Sequence, residues 1–382
     1  MLGKSLFGAA LAALSLQAPA QDIKLPATLT MTAYDTGSSG FNMAVAIGKA
    51  FKDKHGTDVR VLPAGNDVAR LAPLKGGRAQ ASAMGIGVYF AQEGVFEFGV
   101  KEWGPQPLRL LMSSSACNAI SLGVAKDTGV KEVKDLKGKR IGMVVGAPAL
   151  NQNAFAVLAF GNLTRNDVKL VEFSSYGAMW KGILNNEVDA AIGSTISGQA
   201  KEAEVSPRGL YYPPTPAADK AGWARLHKFG PYYAPHRATC GVGVTKENPV
   251  VELPNYPYPI MMAYANQSAD LAYNVVKAMI ANYAAYKDSA PGADGFELGR
   301  QNLAWVLPYH DGAVRAFKEA GVWKTEHEAH NQTMVRRQQV LADAWSAYIK
   351  ANPSDDKATF GKGWLSARAA ALSKAGLPTI FD

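Results

Sequence analysis

TMTAYDTGSSGFNMAVAIGKAF, residues 30–51, runs from an extended segment through a tight loop of small residues into a helix. Over 42–54, Met43, Ile47, Ala50 and Phe51 recur close to helical spacing. A loop of this kind, between a strand and a helix N-terminus, offers backbone N–H groups to an anion. TDVRVLPAG follows as a second strand, with Val59 and Val61 alternating, and Asp67 then caps a helix reaching about Leu74. AQASAMGIG is a third strand. Strands and helices in this alternation predict a parallel sheet with right-handed crossovers. Ligands of such sheets sit outside the carboxyl ends of the strands, here the loops 35–41, 63–67 and 84–88.

The same grammar restarts after residue 107. PLRLLMSSSACNAISLGVAKDTGV is a long extended run, and KEVKDLKGKRIGMVVGAPAL supplies a short helix, a turn, a strand and a loop. A helix over 151–160, the strand DVKLVEFSS, and a helix leading into the buried strand 188–192 complete a second unit. RATCGVGVTKENPVVEL, residues 237–253, is extended again and returns the chain to the first unit. Two connecting strands, near 110–125 and 238–246, then form a hinge over a cleft. The expected organisation is a first lobe of 28–115 with 240–324, a second lobe of 116–239, and a helical C-terminal extension over 325–382.

Residues 1–20 read as a secretory leader. Lys4 precedes an apolar run from Leu6 to about Leu16, and Ala18-Pro19-Ala20 fits cleavage before Gln21. The run is too short for a stable anchor, and no later segment is long and apolar enough to cross a membrane. The expected location is therefore periplasmic, without membrane insertion. In an oxidising compartment Cys117 and Cys240 form one bridge or remain two buried thiols; sequence alone supplies no Cα separation to choose between them. The net charge of +8 favours an anionic ligand or surface. No basic tract is interleaved with aromatics, which argues against nucleic acid.

Enzyme signatures fail one by one. His327-Glu328-Ala329-His330 spaces its histidines i, i+3 where a zincin needs i, i+4, and no third ligand is evident. GSSG at 37–40 is not a nucleophile elbow, and no phosphate-loop or dinucleotide fingerprint is complete. The cysteines are too far apart for C-x-x-C chemistry. The reading assigns no catalytic residue, no metal ligand and no cofactor.

Five stretches in order, AYDTGSSGFNMA, VLPAGNDVARLAPLKGGRAQASAMGIGVYFAQEGVFEF, GVKEVKDLKGKRIGMVVG, GILNNEVDAAIGS and LPYHDGAVRAFKEAGVW, resemble the TAXI-type substrate-binding proteins of tripartite ATP-independent periplasmic (TRAP) transporters. The resemblance spans about residues 28–323. It implies a type II periplasmic-binding-protein fold, two α/β lobes joined by two hinge strands. It also implies a binding protein that closes on a small organic anion, a carboxylate foremost, and hands it to the membrane permease subunits of an ion-driven carrier. The strand-end loops nominate Thr36, Gly37, Ser38, Ser39, Gly40, Phe41, Asn66, Asp67, Arg70 and Tyr89 from lobe one. From lobe two they nominate Ala147, Pro148, Ala149, Leu150, Ser175, Tyr176, Ser194 and Thr195. The Arg70 guanidinium suits a carboxylate in a two-point grip; the alternatives are a solvated helix arginine or an ion pair with Asp67 three residues away. Asp189 reads as a packing residue and His310 as architectural.

Three departures from the family pattern keep a relative's ligand, such as glutamate, from being carried over. Phe41-Asn42 stands where relatives keep paired tyrosines, Asn66-Asp67 with Arg70 replaces a Gly-Ser turn, and Ala147–Leu150 replaces Gly-Ser-Gly-Thr. The alternatives at this level are a binding protein of an ATP-driven importer, a sensory protein, and an exported enzyme.

Overall fold

The computed structural model describes residues 22–381, so the leader expected over residues 1–20 lies outside the described residues. β1 (Thr28–Tyr34) is buried along most of its length and leads through Asp35–Ser38 into α1 (Ser39–His55). Ser38 caps α1 by accepting the Phe41 N–H. β2 (Asp58–Ala64), α2 (Asp67–Lys75), β3 (Ala81–Met84), α3 (Gly87–Glu93) and β4 (Leu108–Ser113) follow. The cap of α2 is Asn66, whose side chain accepts the Ala69 N–H. Asp67, expected as the cap, is instead the first helical residue, which frees its carboxylate for other partners. The loop expected at 84–88 turns into α3 from Gly87.

The chain then crosses to a second lobe: β5 (Ile120–Ala125), β6 (Arg140–Val144), α4 (Pro148–Phe160), β7 (Lys169–Phe173), α5 (Tyr176–Leu184), β8 (Ala190–Ser194), α6 (Gly198–Val205), β9 (Leu210–Tyr211) and α7 (Lys220–His227). Pro148 opens α4, where its missing N–H costs nothing, and Ser175 and Ser197 cap α5 and α6 with their side chains. β10 (Ala234–Ala238) and β11 (Val251–Asn255) form an antiparallel ribbon. β12 (Ile260–Tyr264), α8 (Ala269–Ala281), α9 (Tyr283–Tyr286) and α10 (Asp311–Glu319) complete lobe one; α11 (Thr325–Lys350) and α12 (Lys357–Lys374) lie beyond it.

Both five-stranded sheets share one topology. Lobe one is ordered β2-β1-β3-β12-β4 and lobe two β7-β6-β8-β5-β9. In each, four of the five strands run one way, and the fourth in the order, antiparallel to both its neighbours, is the strand that enters directly from the other lobe. The chain thus folds into two α/β lobes, each built on a mixed five-stranded sheet. No helix among the described residues is long and apolar enough to cross a membrane.

The crossings correct the expected hinge. The outward one is residues 114–119. The return one is Tyr256–Pro259, not 238–246: the Tyr258 N–H donates to the Ser114 carbonyl and the Ser114 N–H to the Pro259 carbonyl. Over 238–246 the chain bends instead, with Gly241 and Gly243 at φ of 96° and 89°, in the region glycine tolerates best. Residues 240–255 therefore stay with the second lobe and the crossing. Cys117 and Cys240 are bridged, with Cα atoms 5.5 Å apart. The bridge ties the outward crossing to the end of lobe two, beside a Thr239 N–H bond to the Cys117 carbonyl.

The remaining singled-out residues serve the scaffold. Asp189 takes Arg140 on both oxygens (2.6 and 3.2 Å), tying β6 to the start of β8. His310 caps α10 by accepting the Gly312 N–H through Nδ1. His327 accepts the Lys324 N–H, and His330 bonds the Trp305 carbonyl, so both histidines seat α11.

Candidate functional site

The carboxyl ends of the parallel strands of both lobes face each other across the seam, the place where ligands of such sheets bind. Between them lies a small chamber. Lobe one contributes Tyr34, Ser39 and Gly85; lobe two contributes Ile120, Ala149, Leu150, Asn153, Tyr176, Gly193 and Ser194; the return crossing contributes Tyr256 and Tyr258. Its volume of about 20 Å³ is room for roughly one water, so this is a closed form. At the mouth of the seam a groove of about 580 Å³ runs past Asp35, Thr36, Lys181, Gln199 and Glu202.

Closure is held by a repeated device: three lobe-two helices point their N-termini at lobe-one acceptors. At α4, the Ala149 N–H donates to Asp67 Oδ2 (2.7 Å), and the Gly146 carbonyl accepts from the Asp67 and Val68 N–H groups. At α5, the Gly177 N–H donates to Asp35 Oδ2 (2.7 Å) and the Tyr176 N–H to the Gly65 carbonyl (3.0 Å). At α6, the Gly198 N–H donates to the Gly37 carbonyl (2.9 Å) and Gln199 Nε2 to the Thr36 carbonyl (3.0 Å). A carboxylate at such a terminus gains both a charge-assisted bond and the helix dipole.

Arg70 does not line the chamber. Its guanidinium is wholly buried, pairs with Asp67 Oδ1, donates to the Ala83 carbonyl (3.0 Å) and lies 3.3 Å from the Tyr34 ring centroid. Burial works against its charge, but Tyr34 and Asp67 hold its pKa above the ordinary value. The Tyr34 hydroxyl donates to the same Asp67 oxygen (2.6 Å), and burial pushes that hydroxyl well above its usual range. Asp67 thus collects Arg70, Tyr34 and the Ala149 N–H.

The nominated residues divide accordingly. Ser39, Ala149, Leu150, Tyr176 and Ser194 line the chamber. Thr36, Gly37 and Asp67 bond across the seam. Ser38, Asn66 and Ser175 are helix caps, and Gly40 lets the Tyr258 hydroxyl come close: a Cβ there would meet it at 2.9 Å. Ala147 and Pro148 form the start of α4, Phe41 packs half-buried on the lobe-one core, and the Thr195 hydroxyl accepts the Ala119 N–H at the outward crossing. Tyr89 is not at the chamber; it is buried against the Phe381 ring (5.2 Å). The chamber residues not nominated are Tyr34, Gly85, Ile120, Asn153, Gly193, Tyr256 and Tyr258. The signal for two of them was NYPYP at 255–259, a doubled Tyr-Pro with too few N–H groups for a central strand.

One carboxyl near the seam titrates unusually. Glu97, in the 3-10 turn Phe96–Phe98 after α3, is pushed up to about 7 by burial, with repulsion from Asp67 adding to it and a bond to its own backbone N–H opposing. The folded state then binds the proton more tightly than the unfolded one. This contribution to stability is complete below about pH 4.5 and is lost as pH rises to about 7. Glu97→Gln is expected to flatten the melting temperature over that window. Identical pH slopes for variant and parent would refute the assignment.

Comparisons with known proteins add the following. Among solved structures, the chain is similar to an ancestral arginine-binding protein bound to arginine (16% identity, TM-score 0.40, covering 71% of this chain and 96% of that one). It is also similar to the alkanesulfonate-binding protein SsuA from Xanthomonas axonopodis pv. citri bound to MOPS (15% identity, TM-score 0.40, 79% and 96%). A third is the substrate-binding protein of an amino acid ABC transporter (13% identity, TM-score 0.40, 69% and 96%). Residues 41–216 match the family model described as NMT1/THI5 like, and residues 255–321 match that of the NMT1-like family.

Proposed function

We propose that this chain is an extracytoplasmic solute-binding protein that captures a small organic anion of the carboxylate class between its lobes and delivers it to a membrane permease. The observation that carries the reading is the seam. Strand-end loops of both lobes converge there, and α4 and α5 each hold a carboxylate on their first-turn N–H groups. In the closed form those carboxylates are the protein's own, Asp67 and Asp35. When the lobes part about the crossings, the same N–H groups are released to a solute carboxylate, and contacts to both lobes favour re-closure. The family resemblance in the sequence supports an ion-driven TRAP-type permease as the partner.

Thermal-shift and calorimetric screening of the full chain against dicarboxylates, oxo acids, amino acids, aromatic acids and neutral solutes tests the ligand class. An anion is expected to stabilise the protein and to be recovered unchanged. Stabilisation by neutral solutes alone would remove the anion claim, and turnover would point to an enzyme. Uptake into vesicles carrying the permease, driven by an ion gradient and indifferent to ATP, is expected for the TRAP reading.

The seam makes its own prediction. Asp35→Ala removes one charge-assisted bond worth about 1.5–3 kcal/mol. The open form should gain roughly tenfold or more in population, read as a larger radius of gyration by small-angle scattering without solute. An unchanged radius would mean that Asp35 does not hold the lobes together.

A further inference from the structure

We propose that the solute carries a flat aromatic or heteroaromatic ring bearing its carboxylate, and that the ring is gripped between Tyr34 of lobe one and Tyr176 of lobe two. The inference rests on the solute-binding reading above. The chamber walls are rich in tyrosine: Tyr34, Tyr176, Tyr256 and Tyr258 come from both lobes and the return crossing. The polar groups among them are Ser39, Asn153 and Ser194, and no lining side chain is charged.

Tyr34 and Tyr176 meet face to face across the seam, centroids 5.5 Å apart and planes 22° from parallel. Each is held in place from behind. Arg70 covers the far face of Tyr34 at 3.3 Å, and Asp67 fixes its hydroxyl. Tyr176 leans on Trp180, one turn further along α5, with ring centroids 6.2 Å apart. A ring inserted between them needs about 7 Å between centroids, two van der Waals spacings of ~3.5 Å. A small opening of the hinge therefore turns the self-stacked pair into a slot one ring thick. A saturated solute of the same size would leave both flat faces poorly matched.

The acid group has its place at the edge of the same slot. The Tyr34 hydroxyl and the Ala149 N–H converge on one carboxylate, that of Asp67. When the lobes part, the Ala149 N–H leaves Asp67 and becomes a donor for a carboxyl on the ring or one carbon from it.

Matched pairs of acids test this on the full chain by calorimetry: benzoate against cyclohexanecarboxylate, and phenylacetate against cyclohexylacetate, with succinate and glutamate alongside. The aromatic member should bind roughly tenfold tighter than its saturated partner. Tyr176→Leu should erase that preference and Tyr176→Phe retain it, with melting temperatures without solute confirming that both variants fold. Equal or tighter binding of the saturated or aliphatic acids would overturn the ring proposal and leave the solute-binding reading standing. Retention of the preference in Tyr176→Leu would also overturn it. Absence of binding by every solute screened would overturn both.

Discussion

Glu93→Ala is expected to destabilise the protein by about 3–5 kcal/mol, the cost typical of breaking a buried ion pair from one side. Glu93 ends α3 with no exposure at all. Its carboxylate takes Arg337 of α11 through Nε and Nη2, both at 2.7 Å, and Arg368 of α12 through Nη2 at 2.6 Å. Both arginines are buried. Alanine would remove the carboxylate that two buried guanidiniums share, in a protein whose total stability is of order 5–15 kcal/mol. Further bonds fasten the same helices: Trp364 Nε1 donates to the Gly94 carbonyl (2.6 Å), and Gln338 Nε2 to Gln92 Oε1 (2.7 Å) and the Leu108 carbonyl (2.8 Å). A chain ending before Thr325 is accordingly expected not to fold, because α3 would expose Gln92 and Glu93 on a face built to be covered. Urea midpoints for Glu93→Ala and Glu93→Gln check the figure. A loss below about 1 kcal/mol in the alanine variant would show that the triad is dispensable.

Removal of the Cys117–Cys240 bridge is the second large effect. The two residues are separated by 123 positions, so the bond closes nearly all of lobe two into one loop. Native bridges typically contribute 2–5 kcal/mol, and a loop near 100 residues stands at the upper end of the entropic estimate. Cys117→Ser with Cys240→Ser should therefore cost about 2–5 kcal/mol, and a reductant should lower the melting temperature of the parent to that of the variant. A parent that melts at the same temperature with and without reductant would contradict the prediction. The pairing suits an oxidising compartment.

The strand–loop–helix grammar was legible because it is local: hydrophobic period, small-residue loops and caps lie within a few residues of each other. The hinge was not. RATCGVGVT looks like a strand because Val242 and Val244 alternate, yet the Val242 N–H goes to the Thr195 carbonyl and the neighbouring glycines bend the chain. Arg70 shows the same limit at the site. Its pairing with Asp67 was one of the readings open in the sequence, beside ligand contact and a solvated helix arginine, but the Tyr34 ring that it covers comes from a neighbouring strand. Tyr89 sat at the expected end of β3, and only the fold reveals that Phe381, from the far end of the chain, occupies its face. Glu93 gave no sign of burial, since its two arginine partners lie in a helical tail with no local link to α3.

The placement of that tail has an experimental use. Every anchor described for α11 and α12 lies in lobe one, so the pair travels with that lobe as a rigid handle. Ser346 on α11 and Lys201 on α6 are both exposed. A donor dye on one and an acceptor on the other would turn the hinge into a single optical distance.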